Sequence, residues 1–364
     1  MSIDQAAPTA TQADLDADKV EAFAGQVATD IAAVLAGATM YIGHHVGLYA
    51  AMGDGRPLSP DELAERTGAH PRYVTEWLGA QTAGGYVDYD PASGAYRLPL
   101  EHAAVLADPA SPAFLAGASD SMAGLWAAAA AVAADFTVGQ GVAWHDHDPR
   151  IFSGTEELFR PSYEAFLTHA WIPALDGVED KLQAGARVAD VGCGHGVSSV
   201  VMARAYPASR IHGFDAHDAS IATARQRAEA AGVTDNTSFE VALADRLPGS
   251  GYDLVCFFDA LHDMGDPVGA LVAAREALTD DGAVMLIEPF AGDDVADNIT
   301  PVGRLFYSAS TLVCTANGIA QGNRPVLGAQ AGEAALTEVL AQAGFTRVRR
   351  AAETPFSLVI EARP

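Results

Sequence analysis

The chain has 364 residues, 49% of them hydrophobic, which is enough for two cored domains. Its 21 Lys and Arg face 47 Asp and Glu, and the resulting formal charge of −26 repels nucleic-acid backbones and anionic membranes. Three cysteines, Cys193, Cys256 and Cys314, lie far apart without C-x-x-C spacing, which argues against structural zinc and suits a reducing compartment.

Residues 1–20 are acidic and polar and read as a disordered tail. They have neither a basic n-region nor an apolar h-region, so they do not read as a signal peptide. The Ala-rich run 127–134 is far shorter than the roughly 20 residues a membrane span needs. The expectation is a soluble, cytoplasmic protein with no membrane partner.

Residues 21–105 read as a helical domain ending in a hairpin. Ser59-Pro60-Asp61-Glu62 combines a serine cap, a proline at the first helical position and a glutamate three after the cap. Gly68 stops that helix and Pro71 opens the next, whose apolar face is expected to hold Tyr73, Val74, Trp77 and Leu78. YVDY, a DPASG turn and AYRL follow as strand, turn and strand. Helix, helix, hairpin is a winged helix. Between 45 and 100 there are four Arg, no Lys and seven acids, so the basic footprint of a DNA reader is missing. No nucleic-acid partner is expected. The domain reads as a packing module for a homodimer, with the apolar helices of 31–52 as the interface.

Residues 106–180 read as a helical linker rich in Ala and aromatics. Trp126 and Tyr163 are candidate acceptor contacts, with inter-domain packing as the competing role. His145-Asp146-His147-Asp148 has metal-ligand types but lacks a third ligand, and no metal is expected.

Residues 181–364 alternate short β-branched runs with helical stretches: RVADV, RIHGFD, SFEVA, YDLVCFF and AVMLIE, with helices from about 197, 218 and 267. The last stretch reads helix, strand (TRVRR), strand (FSLVIEA), which implies one antiparallel strand. The fold class is α/β: a Rossmann-like, doubly wound, mostly parallel seven-stranded sheet behind an α-helical winged-helix domain.

After the first of these strands comes Val-Ala-Asp190-Val-Gly192-Cys-Gly194-His-Gly196. Glycine-rich turns at this place cradle nucleotides. Val197 stands where the third glycine of the dinucleotide fingerprint belongs, and no lysine is near, so pyrophosphate and triphosphate are disfavoured. S-adenosyl-L-methionine carries a sulfonium and an amino-acid end and no phosphate. Asp190 could order the loop and meet that ammonium, or act only as a cap. Asp215 closes the second strand and is placed for the ribose hydroxyls. Ala244 and Asp245 after the third strand are placed for the adenine, and Phe258 after the fourth packs nearby.

VADVGCGHG, GFDAH, ALAD and FFDALHDMGDP, in this order, resemble the class I S-adenosylmethionine-dependent methyltransferases. With the winged helix, the chain is similar to dimeric small-molecule O-methyltransferases over roughly 40–364. The resemblance implies an intertwined N-terminal dimer and an acceptor pocket built largely from the helical segment before the glycine strand.

Methyl transfer from a sulfonium needs position above all, and an alcohol or phenol acceptor also needs a base. His262 follows the fourth strand and Glu288 closes the fifth. If those strands are parallel neighbours, their ends lie about 5 Å apart and the carboxylate can fix the imidazole tautomer. LHDMGD is similar to the L-H-D-W-x-D run of plant-type O-methyltransferases, whose histidine is the base, and Glu288 falls where that family places a supporting glutamate. Met264 replaces the tryptophan. Against this, Asp266 and Pro267 cap and open the next helix, so the loop also has structural reasons for its sequence.

Residues 303–322 read as a helix and loop lining the acceptor site, with a turn at Asn317-Gly318 and Phe306, Tyr307 and Cys314 as wall candidates. Domain packing competes for each of them. The function expected is methyl transfer to an oxygen, or next a nitrogen, of a small, largely apolar molecule. The alternatives are a non-methylating enzyme using the same cofactor and a winged-helix regulator.

Overall fold

The computed structural model describes residues 15–322 and 326–364. These fall into two units that divide between Asp108 and Pro109.

In the first unit, α1 (Ala17–His45) starts at Asp16, whose side chain accepts from Lys19 N. It therefore begins inside the stretch read as a disordered tail, and residues 1–14 of that stretch lie outside the described residues. α2 (Leu48–Met52) follows, then α3 (Pro60–Thr67), which carries the expected capping box between Ser59 and Glu62 and ends at Gly68. α4 (Pro71–Ala83) buries Val74, Trp77 and Leu78 against Leu48, Tyr49, Met52 and Leu63. Tyr73 is the exception: it stands 80% exposed, one position off the buried face. Tyr49 donates to Gln81 at 2.6 Å and Trp77 Nε1 donates to the Thr39 carbonyl at 2.9 Å, which pairs these buried polar groups of the core. β1 (Asp88–Asp90) and β2 (Ala95–Arg97) form the antiparallel wing, and α5 (Leu100–Leu106) closes the unit. On α4, Arg72 is paired with Glu76 at 2.5 Å, which cancels its charge toward a phosphate.

α1 presents Val20, Phe23, Val27, Ile31, Val34, Leu35 and Ile42 to solvent, each at least 40% exposed. It is long and apolar enough to cross a membrane by length and composition, a helix that the reading of 127–134 did not count.

The second unit opens with α6 (Ser119–Asp135), α7 (Arg150–Ser162), a π-helical turn over Tyr163–Trp171 and α8 (Val178–Ala184). Next come β3 (Arg187–Val191), α9 (Val197–Ala205), β4 (Arg210–Asp215), α10 (Asp218–Ala231), β5 (Thr237–Val241), β6 (Tyr252–Phe258), α11 (Pro267–Ala277) and β7 (Leu278–Pro289). α12 (Pro301–Ala309), a π-helical turn over Ser310–Cys314, α13 (Thr315–Ala320), α14 (Gly332–Gln342), β8 (Arg347–Glu353) and β9 (Ser357–Arg363) complete it. Asn317-Gly318 lies within α13 and makes no turn.

The seven strands run in the order β5-β4-β3-β6-β7-β9-β8, with β9 alone antiparallel to its neighbours. Side chains alternate across the sheet with a period of two. Thus Val188, Leu254, Cys256, Met285 and Ile287 join one core, and Ala189, Val191, Val255, Phe257, Val284 and Leu286 join the other. Both faces are covered, which is why the strands read as continuous apolar runs. The strand order reverses between β3 and β6, and the carboxyl edge at such a reversal is where these sheets bind ligands.

Candidate active site

The glycine loop leaves β3 at this reversal. A Cβ on Gly194 would meet nothing within 4 Å, and its φ of +51° suits glycine, so the backbone there lies open to the crevice. Gly196 serves packing instead, because a Cβ would come within 2.9 Å of Ala224 and Phe239. Asp215, at the tip of β4, accepts from Gly194 N at 2.9 Å and from His217 N at 2.8 Å. Its carboxylate therefore faces the loop, and burial lifts its pKa. Asp190 is fully buried; one oxygen accepts from Ser198 at 2.7 Å and Ser199 at 2.6 Å, and the other has no partner. Burial raises this carboxyl to about 6 against the pull of the two serines.

The second half of the site leaves β6. Asp259 is the one non-glycine among the described residues with a positive φ, +51°. Aspartate tolerates that region better than most residues. Tyr163 donates to its Oδ2 at 2.6 Å, its Oδ1 is buried without a partner, and burial raises the group to about 7. Phe258 is buried against Tyr163, ring centres 5.9 Å apart. Next, Nδ1 of His262 is hydrogen-bonded to Glu288, and the other oxygen of Glu288 accepts from Leu261 N at 3.1 Å. Nε2 faces Asp263 at 3.3 Å. Burial opposes a charged imidazole, but Asp263 and Glu288 outweigh it and hold His262 well above the ordinary histidine value. Cys314 lies within reach of both His262 and Asp263, and burial pushes its thiol up to about 12.

Several residues here carry no signal in the sequence. Phe152 of α7 meets His217 at 4.6 Å and Trp144 at 5.2 Å between ring centres, tilted 46° and 45°, just past the tip of β4. Glu156 of α7 accepts from His195 in the glycine loop at 2.7 Å and also pairs with Arg227, and these two overcome burial to keep its pKa low. Asn317 holds Trp144 N and the Asp263 carbonyl. His147 is buried, and neither ring nitrogen has a partner. Only the juxtaposition of distant segments reveals these groups.

The other expected contacts vary in exposure. Trp126 is 70% exposed on α6 and Tyr307 is 36% exposed on α12. Phe306 packs with Cys314 and Ala329. Asp245 is exposed on a 3₁₀ turn beside half-buried Ala244, with its carboxylate free to meet solvent or a ligand.

Residues 33–108 match the Rv2258c-like winged HTH domain, and residues 182–344 match the methyltransferase domain. The chain thus carries a winged-helix domain of one described type and, after it, a methyltransferase domain. Among its curated relatives, a ubiquinone biosynthesis O-methyltransferase of Cereibacter sphaeroides is 33% identical over 101 residues, 28% of this chain and 40% of that protein. The first relatives are matched over only 24% to 40% of their own length. The same fold occurs in mitomycin 7-O-methyltransferase MmcR (TM-score 0.68, 19% identity, 95% of this chain and 100% of that one). It also occurs in human N-acetylserotonin methyltransferase, solved with SAM (TM-score 0.65, 17% identity, 93% and 97%).

Proposed function

We propose that this methyltransferase moves a methyl group from S-adenosyl-L-methionine to an oxygen, or next a nitrogen, of a small, largely apolar acceptor. The observation that carries the reading is the set of buried carboxylates at the strand tips. Asp215 faces the glycine loop, and Asp190 and Asp259 each keep one unpartnered buried oxygen. A buried carboxylate oxygen without a donor is costly, so the site is suited to a ligand that brings positive charge, and it would repel a phosphate.

The residues fit the cofactor part by part. Asp215 would take the ribose hydroxyls, the open backbone at Gly194 would admit the ligand's closest approach, and Asp190 and Asp259 would share the ammonium. Ala244 and Asp245 stand at the adenine end. When bound, the cofactor supplies a methyl group already activated by its sulfonium. The protein's own work is then to align the acceptor and take its proton. Nε2 of His262 would receive the proton in the neutral imidazole, which its carboxylate neighbours make the minor form near neutral pH, while Glu288 fixes the tautomer through Nδ1 and stabilises the imidazolium that forms. Tyr163 orients Asp259, and Phe258 closes the floor beside it. Mass spectrometry of small phenols and amines incubated with enzyme and cofactor tests the reading. A 14-Da increment (one methyl replacing hydrogen, about 14 Da) supports it, and consumption of an acceptor without that increment points to non-methylating chemistry instead.

A second copy of the chain is the partner we assign to α1. Its apolar stripe runs along a helix roughly 44 Å long, at about 1.5 Å per residue, and is too extended to be left in water by a soluble enzyme. The three free buried cysteines suit a reducing cytoplasm.

A further inference from the structure

We propose that Nε2 of His262, the carboxylate of Asp263 and the thiol of Cys314 form a three-ligand site for a soft divalent cation of the zinc class. The ligand atoms of these residues all lie within 4.8 Å of one another. Imidazole, carboxylate and thiolate are the donors zinc takes, and a tetrahedral centre with bonds of about 2.0–2.3 Å holds its ligands roughly 3.3–3.8 Å apart. His262 and Asp263 already stand at 3.3 Å, so only a small contraction toward Cys314 is needed.

The surroundings favour a cation. Glu288 on Nδ1 leaves Nε2 directed away from it, which is the carboxylate–histidine–metal arrangement once the Nε2 proton is displaced, and Leu261 N braces the carboxylate in turn. Asp263 Oδ1 is shut from solvent and faces Nε2 of His262 at 3.3 Å. His147 is 5% exposed with both nitrogens unpartnered, and Asp263 is the leading charge that acts on it. The π-helical turn over Ser310–Cys314 brings the sulfur to this place, and such turns recur at functional sites. Without a cation the thiol stays protonated. On binding, the thiol and Nε2 of His262 each give a proton to solvent, and sulfur and nitrogen each give an electron pair to the metal, with no change of oxidation state. A fourth position remains for water or for a heteroatom of the acceptor.

The metal site stands on its own geometry. Its consequence rests on the function proposed above: a cation on Nε2 takes the lone pair needed for proton removal, so metal occupancy would silence the base. The test uses the full chain, stripped with a chelator and titrated with Co²⁺. One equivalent per chain should bind, with a sulfur-to-cobalt charge-transfer band and tetrahedral d–d bands, and Zn²⁺ should abolish both. Cys314→Ser should remove the charge-transfer band, and Asp263→Asn should weaken Zn²⁺ binding at least tenfold. Circular dichroism should show both variants folded. No stoichiometric binding, binding without the sulfur band, or a band that survives Cys314→Ser overturns the proposal. If a variant fails to fold, the wild-type spectrum decides by its sulfur band. Titration of the same samples with S-adenosylhomocysteine separates the two readings: cofactor binding without cobalt binding removes only the metal site, and the reverse removes only the methyltransferase assignment.

Discussion

Tyr163 and Asp259 share a 2.6 Å hydrogen bond that ties the π-helical turn after α7 to the loop after β6. The tyrosine satisfies one carboxylate oxygen and leaves the other buried and open. Removing the hydroxyl should therefore act on the cofactor before it acts on the fold. Tyr163→Phe is expected to weaken binding of S-adenosylhomocysteine about 10- to 150-fold, the equivalent of a lost hydrogen bond to a charged group at roughly 1.5–3 kcal/mol. Calorimetric titration reads it, and an unchanged Kd would remove Asp259 from the ammonium site.

Asp190 and Asp259 also set a pH dependence. Burial raises both, to about 6 and about 7. Seen against an ordinary aspartate near about 3.9, the folded chain holds extra protons between the two values, so these groups lower stability as pH rises through that window. A bound ammonium reverses the preference and favours both carboxylates. Affinity for the product cofactor should therefore climb roughly tenfold from pH 6 to pH 8, with proton release at pH 6. Titration in two buffers of different ionisation enthalpy measures that release, and proton uptake would contradict the assignment.

His262→Ala, assayed in chelator-treated enzyme with an acceptor it turns over, should lower kcat about 10²- to 10⁴-fold, the usual share of a general base. The Kd for S-adenosylhomocysteine should hold within about threefold, because the imidazole lies on the acceptor side. Glu288→Gln should lower kcat less while sparing the same Kd. Unchanged turnover in the alanine variant would take His262 out of the mechanism.

Phe23 and Ile31 stand 65% and 58% exposed on α1. Light scattering should give twice the chain mass for wild type and one chain mass for a Phe23→Glu, Ile31→Glu double variant. A wild-type monomer, or partition of wild type into vesicles in place of dimerisation, would reject the second copy as the occupant of this face.

Much of the sheet is legible in the sequence because each buried strand is a short apolar run bounded by turns. Their tips follow directly: Asp215 and Glu288 each end a run, so they must stand at the carboxyl edge. Asp259 is different. Nothing in FFDALHD tells it from any acid in a loop until β6 is seen to end at Phe258 and the next residue to turn left-handed. α6 shows a second kind of limit. Its sequence is apolar almost all round, so no stripe marks which side is covered, and Trp126 faces solvent while Ala128 and Val132 are buried. Glu156 and His147 gain meaning only from groups far away in the chain, His195 and Asp263, and no local pattern encodes those meetings.

The central claim is that a phosphate-free adenosyl ligand lies across the tips of β3, β4 and β6 with its sugar held by Asp215. Isothermal titration of the full chain with S-adenosylhomocysteine tests it most directly. The account predicts one site per chain for wild type and at least about a hundredfold loss in Asp215→Ala, which gives up charge-assisted bonds worth roughly 1.5–3 kcal/mol each. Absence of binding to the wild-type chain, or equal binding by the variant, would contradict it.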